Sequence, residues 1–348
     1  MKKKYTIRDI AQMAGVSKGT VDRVLHKRGK VSEVALEKVT KILNDIDYKP
    51  NPIAKNLKNN KVYTISILLP DPKIDTYWSP CIEGIKQVED EFQNFGIKIE
   101  PYFFNPEITT SFSTQALEVI KSGPDAILMV PLFYKEAKHV VELCDDAKIK
   151  VSTFNNFIDN NFINNFIGQD LYKSGRIGAK LLDMLLINGH IGIVHIDEIY
   201  QNATHLQEKE KGFKSYFKAS KKNKYKISTL NLKSENSADF KKSIHNFLDN
   251  NPTINGLFVT ISKSYLVVDA IKNRQEKIAI VGYDLVEKNI EYLKEGAIDF
   301  IIHQNPKKQV YLGLSYLAEY FLFDKEIPTQ VLLPIDIVNS ENFEEYLD

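Results

Sequence analysis

Apolar positions along the chain change their period once. Through residues 6–46 they recur every three or four places: Ile7, Ile10, Ala11 and Ala14, then Val21, Val24 and Leu25, then Leu36, Val39, Leu43 and Ile46. Each set falls on one face of a short helix. Thr6 with Asp9 three residues on is a helix start, and Ser17 and Ser32 are placed to open the second and third helices. Gly15 interrupts the first pattern and Val16 plugs the small core. Two short helices across a tight glycine-containing turn, closed by a third, predict a helix-turn-helix. The N-terminal residues of its second helix enter a major groove, which assigns Lys18, Gly19 and Thr20 to base edges. Lys18 can equally meet a phosphate. Thr6 and Ser17 join the DNA-facing set as caps, and Arg23 as a structural or phosphate-contacting residue.

From Tyr63 onward the pattern becomes apolar runs separated by longer amphipathic stretches. Strands are predicted at 64–69, 98–104, 126–130, 150–154, 191–196, 225–230, 257–260, 278–284 and 300–303, with segments such as CIEGIKQVEDEF and SGRIGAKLLDMLL as helices between them. Strand-helix alternation gives parallel sheets covered on both faces. So many units predict two doubly wound lobes. The expected architecture is an all-α helix-turn-helix domain followed by an α/β domain of two doubly wound parallel-sheet lobes.

Charge sharpens this division. The whole chain has a net charge of +1, but residues 1–61 hold 15 Lys and Arg against 6 Asp and Glu, leaving 31 against 39 in the remainder. A +9 segment suits a polyphosphate, from which the −8 body is repelled. No run approaches the roughly 18 apolar residues of a membrane span, so no membrane partner is expected. The start MKKKYTIRD lacks the apolar stretch of a secretory signal, and a cytoplasmic location is expected. Cys81 and Cys144, the two cysteines, stand in no CxxC pair and near no His cluster, so free buried thiols are expected and no metal site. No GxGxxG, P-loop, GxSxG or HExxH is present. Neither a cofactor nor an enzyme activity is expected, since Asp284 and Asp170 have no nucleophile to serve.

Ligands on doubly wound sheets sit beyond the carboxyl ends of the strands. The residues there are polar and aromatic: Asp75, Tyr77 and Trp78; Asn155 and Asn156; Gln169 and Asp170; His205 and Gln207; Ser262; Asp284; and Gln304. An aromatic face meets the C–H side of a sugar ring, while carboxylate and amide groups take hydroxyls in pairs. Each residue has a purely structural alternative. Trp78 can pack the first body helix on its sheet, Asp75, Asp170 and Asp284 can cap helices, Gln304 can satisfy crossover backbone, and His205 can lie in a solvated loop.

The ordered series T-I-x-D-I-A-x-x-A-G-V-S-x-x-T-V-x-R-V-L (Thr6 through Leu25), V-S (Val31 and Ser32) and Y-x-P-N-x-x-A-x-x-L (Tyr48 through Leu57) resembles the LacI/GalR family. The body, over about residues 62–340, resembles the type I periplasmic sugar-binding fold that the family shares, with VGYD and IIHQNP matching its motifs at Asp284 and Gln304. The resemblance implies residues 1–50 as the DNA-binding domain, 51–61 as a hinge and 62–348 as the ligand-binding domain. Its first lobe is expected at about 62–161 and 298–325, and its second at about 162–297 and 326–348. It also implies a hinge helix that folds on DNA, with Leu57 as a minor-groove wedge supported by Asn51, Ala54 and Asn56. Two arginines common among the family's sugar binders are replaced here by Asn156 and by Gln207 or Lys209.

The expected function is a ligand-responsive repressor that binds a pseudo-palindromic double-stranded operator as a homodimer, with a small neutral sugar or polyol as effector. A nucleobase or sugar phosphate is the alternative effector, and a sugar receptor without a DNA role the alternative function.

Overall fold

The computed structural model describes residues 5–25, 28–46, 48, 61–197, 200–219 and 225–347. The chain divides into two units, Met1–Asn59 and Asn60–Asp348.

In the first unit, α1 (Ile7–Ala14), α2 (Lys18–Leu25) and α3 (Glu33–Asp45) follow the sequence pattern. Thr6 caps α1 reciprocally: Asp9 N donates to Thr6 Oγ1 at 3.3 Å and Thr6 N to Asp9 Oδ2 at 2.8 Å. Gly15 ends the helix at φ 64°, a left-handed conformation that glycine adopts without a Cβ clash. Ile10, Ala11, Ala14, Val21 and Val39 are buried together, with Ile42, Leu43 and Ile46 packed around them. Leu36, expected on this face, is instead 45% exposed. The inward stripe of α3 runs through Val39, Ile42, Leu43 and Ile46, so the first turn turns its leucine outward.

The second unit holds two six-stranded sheets. The first contains β1 (Tyr63–Pro70), β2 (Ile97–Phe104), β3 (Ala126–Met129), β4 (Lys150–Phe154) and β5 (Ile163–Gly168), and the second β6 (Gly189–Ile196), β7 (Tyr225–Leu232), β8 (Ile254–Val259), β9 (Ala279–Tyr283) and β10 (Phe300–His303). Two late strands complete them, β11 (Gln330–Leu332) beside β5 and β12 (Asp336–Val338) antiparallel to β10. The orders, β11-β5-β4-β3-β1-β2 and β12-β10-β9-β8-β6-β7, repeat one topology. Each reverses direction beside its first strand, so each lobe has a switch point at the carboxyl ends of its central strands.

Helices cover these sheets: α4 (Ser79–Phe92), α5 (Thr109–Ser122), α6 (Tyr134–Asp146) and α12 (Pro306–Phe323) on the first lobe, and α7 (Leu171–Leu185), α8 (Thr204–Ala219), α9 (Ser237–Asp249), α10 (Ser264–Ile271) and α11 (Glu287–Lys294) on the second. α7 and α8 meet at a reciprocal pair of glycines. A Cβ on Gly175 would lie 1.9 Å from the Lys209 carbonyl, and one on Gly212 1.9 Å from that of Tyr172. Only hydrogen at both positions permits this approach, and it fixes where the cleft-facing end of α8 sits.

The lobe boundary differs from the expected one. β5 belongs to the first sheet, with Phe154 paired to Ile167, whereas 162 onward was expected in the second lobe. β10 in turn belongs to the second sheet, and β11 returns to the first. β4 and β5 are parallel yet joined by residues 155–162 with no helix between them. This connection is shorter than the dozen or more residues usual for a parallel pair, so it reads in the sequence as a break between lobes. The chain therefore crosses between lobes at Gln169–Asp170, Gln304–Asn305 and 333–335.

Candidate functional site

On the helix-turn-helix, Ser17 Oγ accepts from Thr20 N at 3.1 Å and lies 2.9 Å from Thr20 Oγ1. The start of α2 is thereby fixed, with Ser17, Lys18, Gly19 and Arg23 exposed. A groove between α2 and the start of α3 is lined by Ser17, Thr20, Arg23, Lys30 and Ser32. Asn51, Ala54, Asn56 and Leu57 lie outside the described residues.

In the body, the two switch points face each other across a cleft. Three residues that follow directly on strands carry positive φ without being glycine: Asn155 after β4 (67°), Asp197 after β6 (66°) and Asp284 after β9 (62°). Asn and Asp tolerate the left-handed region best among residues with a Cβ. The conformation turns the chain at the sheet edge, and all three residues line the cleft.

Asp284 is the hub. Its carboxylate accepts from Gln304 N at 2.9 Å and from Gln304 Nε2 at 2.7 Å. Gln304 Nε2 also reaches the Tyr77 hydroxyl at 3.5 Å, and Asn155 Nδ2 donates to that hydroxyl at 2.6 Å. First lobe, crossover and second lobe are thus linked through one buried polar network. Burial pushes the Asp284 carboxyl up to about 6, against the downward pull of Lys209 and the Gln304 hydrogen bonds. Burial, followed by the Asp284 charge, likewise holds the Tyr77 phenol well above its ordinary range. His303 Nδ1 stands 3.8 Å from Asp284 Oδ1, but burial lowers this imidazole to about 4, so it is neutral at pH 7 and forms no ion pair.

Lys209, 2% exposed, points into the cleft from α8. Its ammonium donates to Thr260 O at 2.9 Å and sits 3.7 Å from the centroid of the Tyr283 ring. The next residue, Glu210, anchors the same turn: His195 Nε2 lies 3.0 Å from Glu210 Oε2, and His195 Nδ1 lies 2.8 Å from Thr260 Oγ1. At the mouth, Lys263 binds Asp197 Oδ2, and Ser234 N and Oγ each donate to the Asp197 carboxylate at 2.6 Å. Although burial works to raise Asp197, Lys263 and Ser234 hold it below the usual carboxylate range. Asn289 ties the loops together, its amide donating to Ser262 O at 2.7 Å and to Asp284 O at 3.0 Å.

Eight of the expected ligand residues line the cleft: Asp75, Tyr77, Trp78, Asn155, His205, Ser262, Asp284 and Gln304. Several also fill the structural alternative. Trp78 stacks edge-on against Phe154 at 6.2 Å, and Asp75 caps the turn at Tyr77 N at 3.1 Å. Asn156 lies just behind the wall, donating from Nδ2 to His205 Nδ1 at 3.3 Å.

Four expected residues are absent from the lining, Asn156 and three others. Asp170 caps α7, accepting from Lys173 N at 2.9 Å. Gln207 does not line the cleft, whereas Lys209 on the same helix does. Gln169 is a bracket among the crossovers, donating from Nε2 to His303 O at 2.9 Å and to Pro334 O at 2.6 Å. The chain direction through the first crossover aims it at the other two. Sequence reasoning missed Asp197, Lys263, Leu132 and Ile261 in the lining and Asn289 behind it. Position directly after a strand was the available signal for Asp197.

The cavity measures about 80 Å³, on the order of half a dozen waters. Carboxylates, amides, a hydroxyl and an aromatic face around so small a volume can hold a compact polar molecule. A helix-turn-helix unit and a two-lobed binding unit in one chain define a ligand-responsive DNA-binding regulator.

Comparison with known proteins agrees. Residues 6–51 match the bacterial regulatory proteins of the lacI family, and residues 65–325 match the periplasmic binding protein domain. The chain belongs to the lacI family of regulators, with a periplasmic-binding-protein domain over most of its length. This is a family of transcriptional regulators, not of enzymes. The sucrose operon repressor of Streptococcus mutans is 24% identical over 345 residues, 96% of this chain and 98% of that protein. The ribose operon repressor of Halalkalibacterium halodurans is 26% identical over 295 residues, 80% of each chain. A LacI transcriptional regulator from Bacteroides fragilis, known from its crystal structure, superposes with a TM-score of 0.77 at 25% identity, covering 82% of this chain and 100% of that one. Among the described residues no helix is long and apolar enough to cross a membrane.

Proposed function

We propose that the cleft takes a small neutral sugar or polyol, and that its binding controls attachment of a homodimer to a pseudo-palindromic operator. The observation that carries this reading is the hydrogen-bonded network Asn155–Tyr77–Gln304–Asp284 beside the Trp78 ring. A carboxylate of this kind accepts from two neighbouring hydroxyls, and an analogue lacking one leaves buried polar groups unpaired. Two full-length or near-full-length relatives are named for sucrose and ribose operons, which is consistent with a carbohydrate.

Charge argues against a phosphorylated effector. Asp75, Asp197, Asp284 and Glu107 line the cleft against Lys209 and Lys263. Lys263 is paired with Asp197, and Lys209 is held by Thr260 and Tyr283. A dianion would meet more carboxylate than ammonium.

The mechanism is linkage. The effector prefers the closed lobes, closure shifts the lobe nearer the DNA, and the segment containing Leu57 loses its helix-competent placement, releasing the operator. Two-fold symmetry doubles the contact that one small module makes with DNA. Thermal unfolding against pentoses, hexoses, inositols, sugar phosphates and nucleobases tests the reading. A ligand at 100 times its Kd adds about 2.7 kcal/mol and raises the midpoint by several degrees. Neutral sugars or polyols are expected to register and to weaken operator binding. A response confined to phosphates or nucleobases overturns the assignment.

A further inference from the structure

Helix α6 begins at Tyr134 behind Phe133, a residue that offers no side-chain cap to the free amides of the first turn. Those amides need an acceptor. It comes from the opposite lobe. Asn202, in the short 3-10 turn Tyr200–Asn202 after β6, accepts from Lys135 N at its Oδ1 at 3.1 Å. Its Nδ2 donates to Glu136 Oε2 at 2.8 Å. One side chain of the second lobe therefore serves both an amide and an acidic side chain in the first turn of a first-lobe helix, as a capping residue does within its own chain segment.

We propose that Asn202 is a latch, a positioning residue that holds the lobes closed before any effector arrives. Opening leaves the Lys135 amide and Glu136 without this partner, and Phe133 cannot replace it. Closure is thus stabilised by a contact that touches no ligand. The strength of that contact sets how many molecules are already closed, and so how much effector is needed to shift the rest. The inference rests on the reading that lobe closure is the response, and it is independent of which molecule the cleft takes.

The test uses the full chain without effector or DNA. Nitroxide labels are placed at His139→Cys on α6 and Lys211→Cys on α8, both exposed positions, and the inter-label distance distribution is measured by pulsed electron resonance. Asn202→Ala is expected to lower the ratio of short to long distances by about fivefold, the usual effect of losing a cap. Asn202→Asp keeps the acceptor but sets two carboxylates together, and is expected to open the lobes as well. Adding Glu136→Gln to Asn202→Asp restores a donor and acceptor pair and is expected to return the distribution to that of the parent. A parent distribution already wholly at long distance, no change with Asn202→Ala, or no rescue by the double substitution each overturns the latch. Because no effector enters the measurement, failure of the sugar reading is scored separately, by the thermal panel.

Discussion

Gln304 holds Asp284 at both carboxylate oxygens, with its backbone amide 2.9 Å from one and its side-chain amide 2.7 Å from the other. Gln304 belongs to a crossover and Asp284 to the second lobe, so the group best placed to bind a ligand is aimed by a segment that joins the two lobes. Gln304→Leu removes the side-chain half of this clamp and the contact to Tyr77. Hydrogen bonds to charged groups contribute about 1.5–3 kcal/mol, so effector affinity is expected to fall roughly 10- to 100-fold. Calorimetric titration measures it, and an unchanged Kd refutes the clamp.

Effector binding should depend on pH through Asp284. Hydroxyls that donate to its carboxylate favour the ionised form, so binding is strong above about 6, where the carboxyl titrates, and weakens about tenfold per unit below it. Without ligand the sign for folding is opposite. The native carboxyl is raised from 3.8 to about 6, so the folded state takes up the proton more readily than the unfolded chain. The cost of keeping the buried charge is absent below about 4, grows between 4 and 6, and is complete above 6, on the order of 3 kcal/mol. Asp284→Asn suits the same left-handed backbone and lacks the titration. Its unfolding midpoint relative to the parent is expected to rise from pH 4 to pH 7, and a flat difference contradicts the assignment.

Gly175→Ala is expected to damage the cleft from behind it. The added methyl meets the Lys209 carbonyl, part of a backbone that cannot swing aside as a side chain can. Overpacking of this kind costs about 1–3 kcal/mol and should lower the melting midpoint by several degrees. Displacement of Lys209 should weaken effector binding in the same protein. Retention of both parental values would mean that α7 and α8 separate freely.

Leu57→Ala tests the DNA side, where the resemblance and not the described structure makes the case. Specific operator binding is expected to be lost while the body unfolds at its parental midpoint. Retained operator affinity with the same salt dependence removes the wedge.

Much of this was legible because the physics is local. Helical spacing with a cap at Thr6 and a glycine stop at Gly15 needs no tertiary information, and neither do apolar runs long enough for buried strands. β5 was hidden because its link to β4 lacks the expected helix. The cleft was legible where function follows from position, directly after a strand, as at Asn155 and Asp284. It was illegible where a side chain's direction depends on a distant packing contact. Lys209 faces inward because two glycines let α8 approach α7, and Gln169 faces the other crossovers and not the cleft. Asn202 could not be found from its own neighbours, since the helix it caps begins 68 residues earlier in the sequence.

The three crossings have a consequence for synthesis. The first lobe acquires its covering helix α12 and its edge strand β11 only after strands β6 to β10 of the second lobe have been translated, and the second lobe acquires its own edge strand β12 later still. The buried residues of the DNA-reading unit, Ile10 to Val39, emerge first. At about 5–20 residues per second, the DNA-reading unit leaves the ribosome roughly 15–60 s before the two lobes are complete. A nascent chain can therefore carry its helix-turn-helix before either sheet of the body has received its last strand.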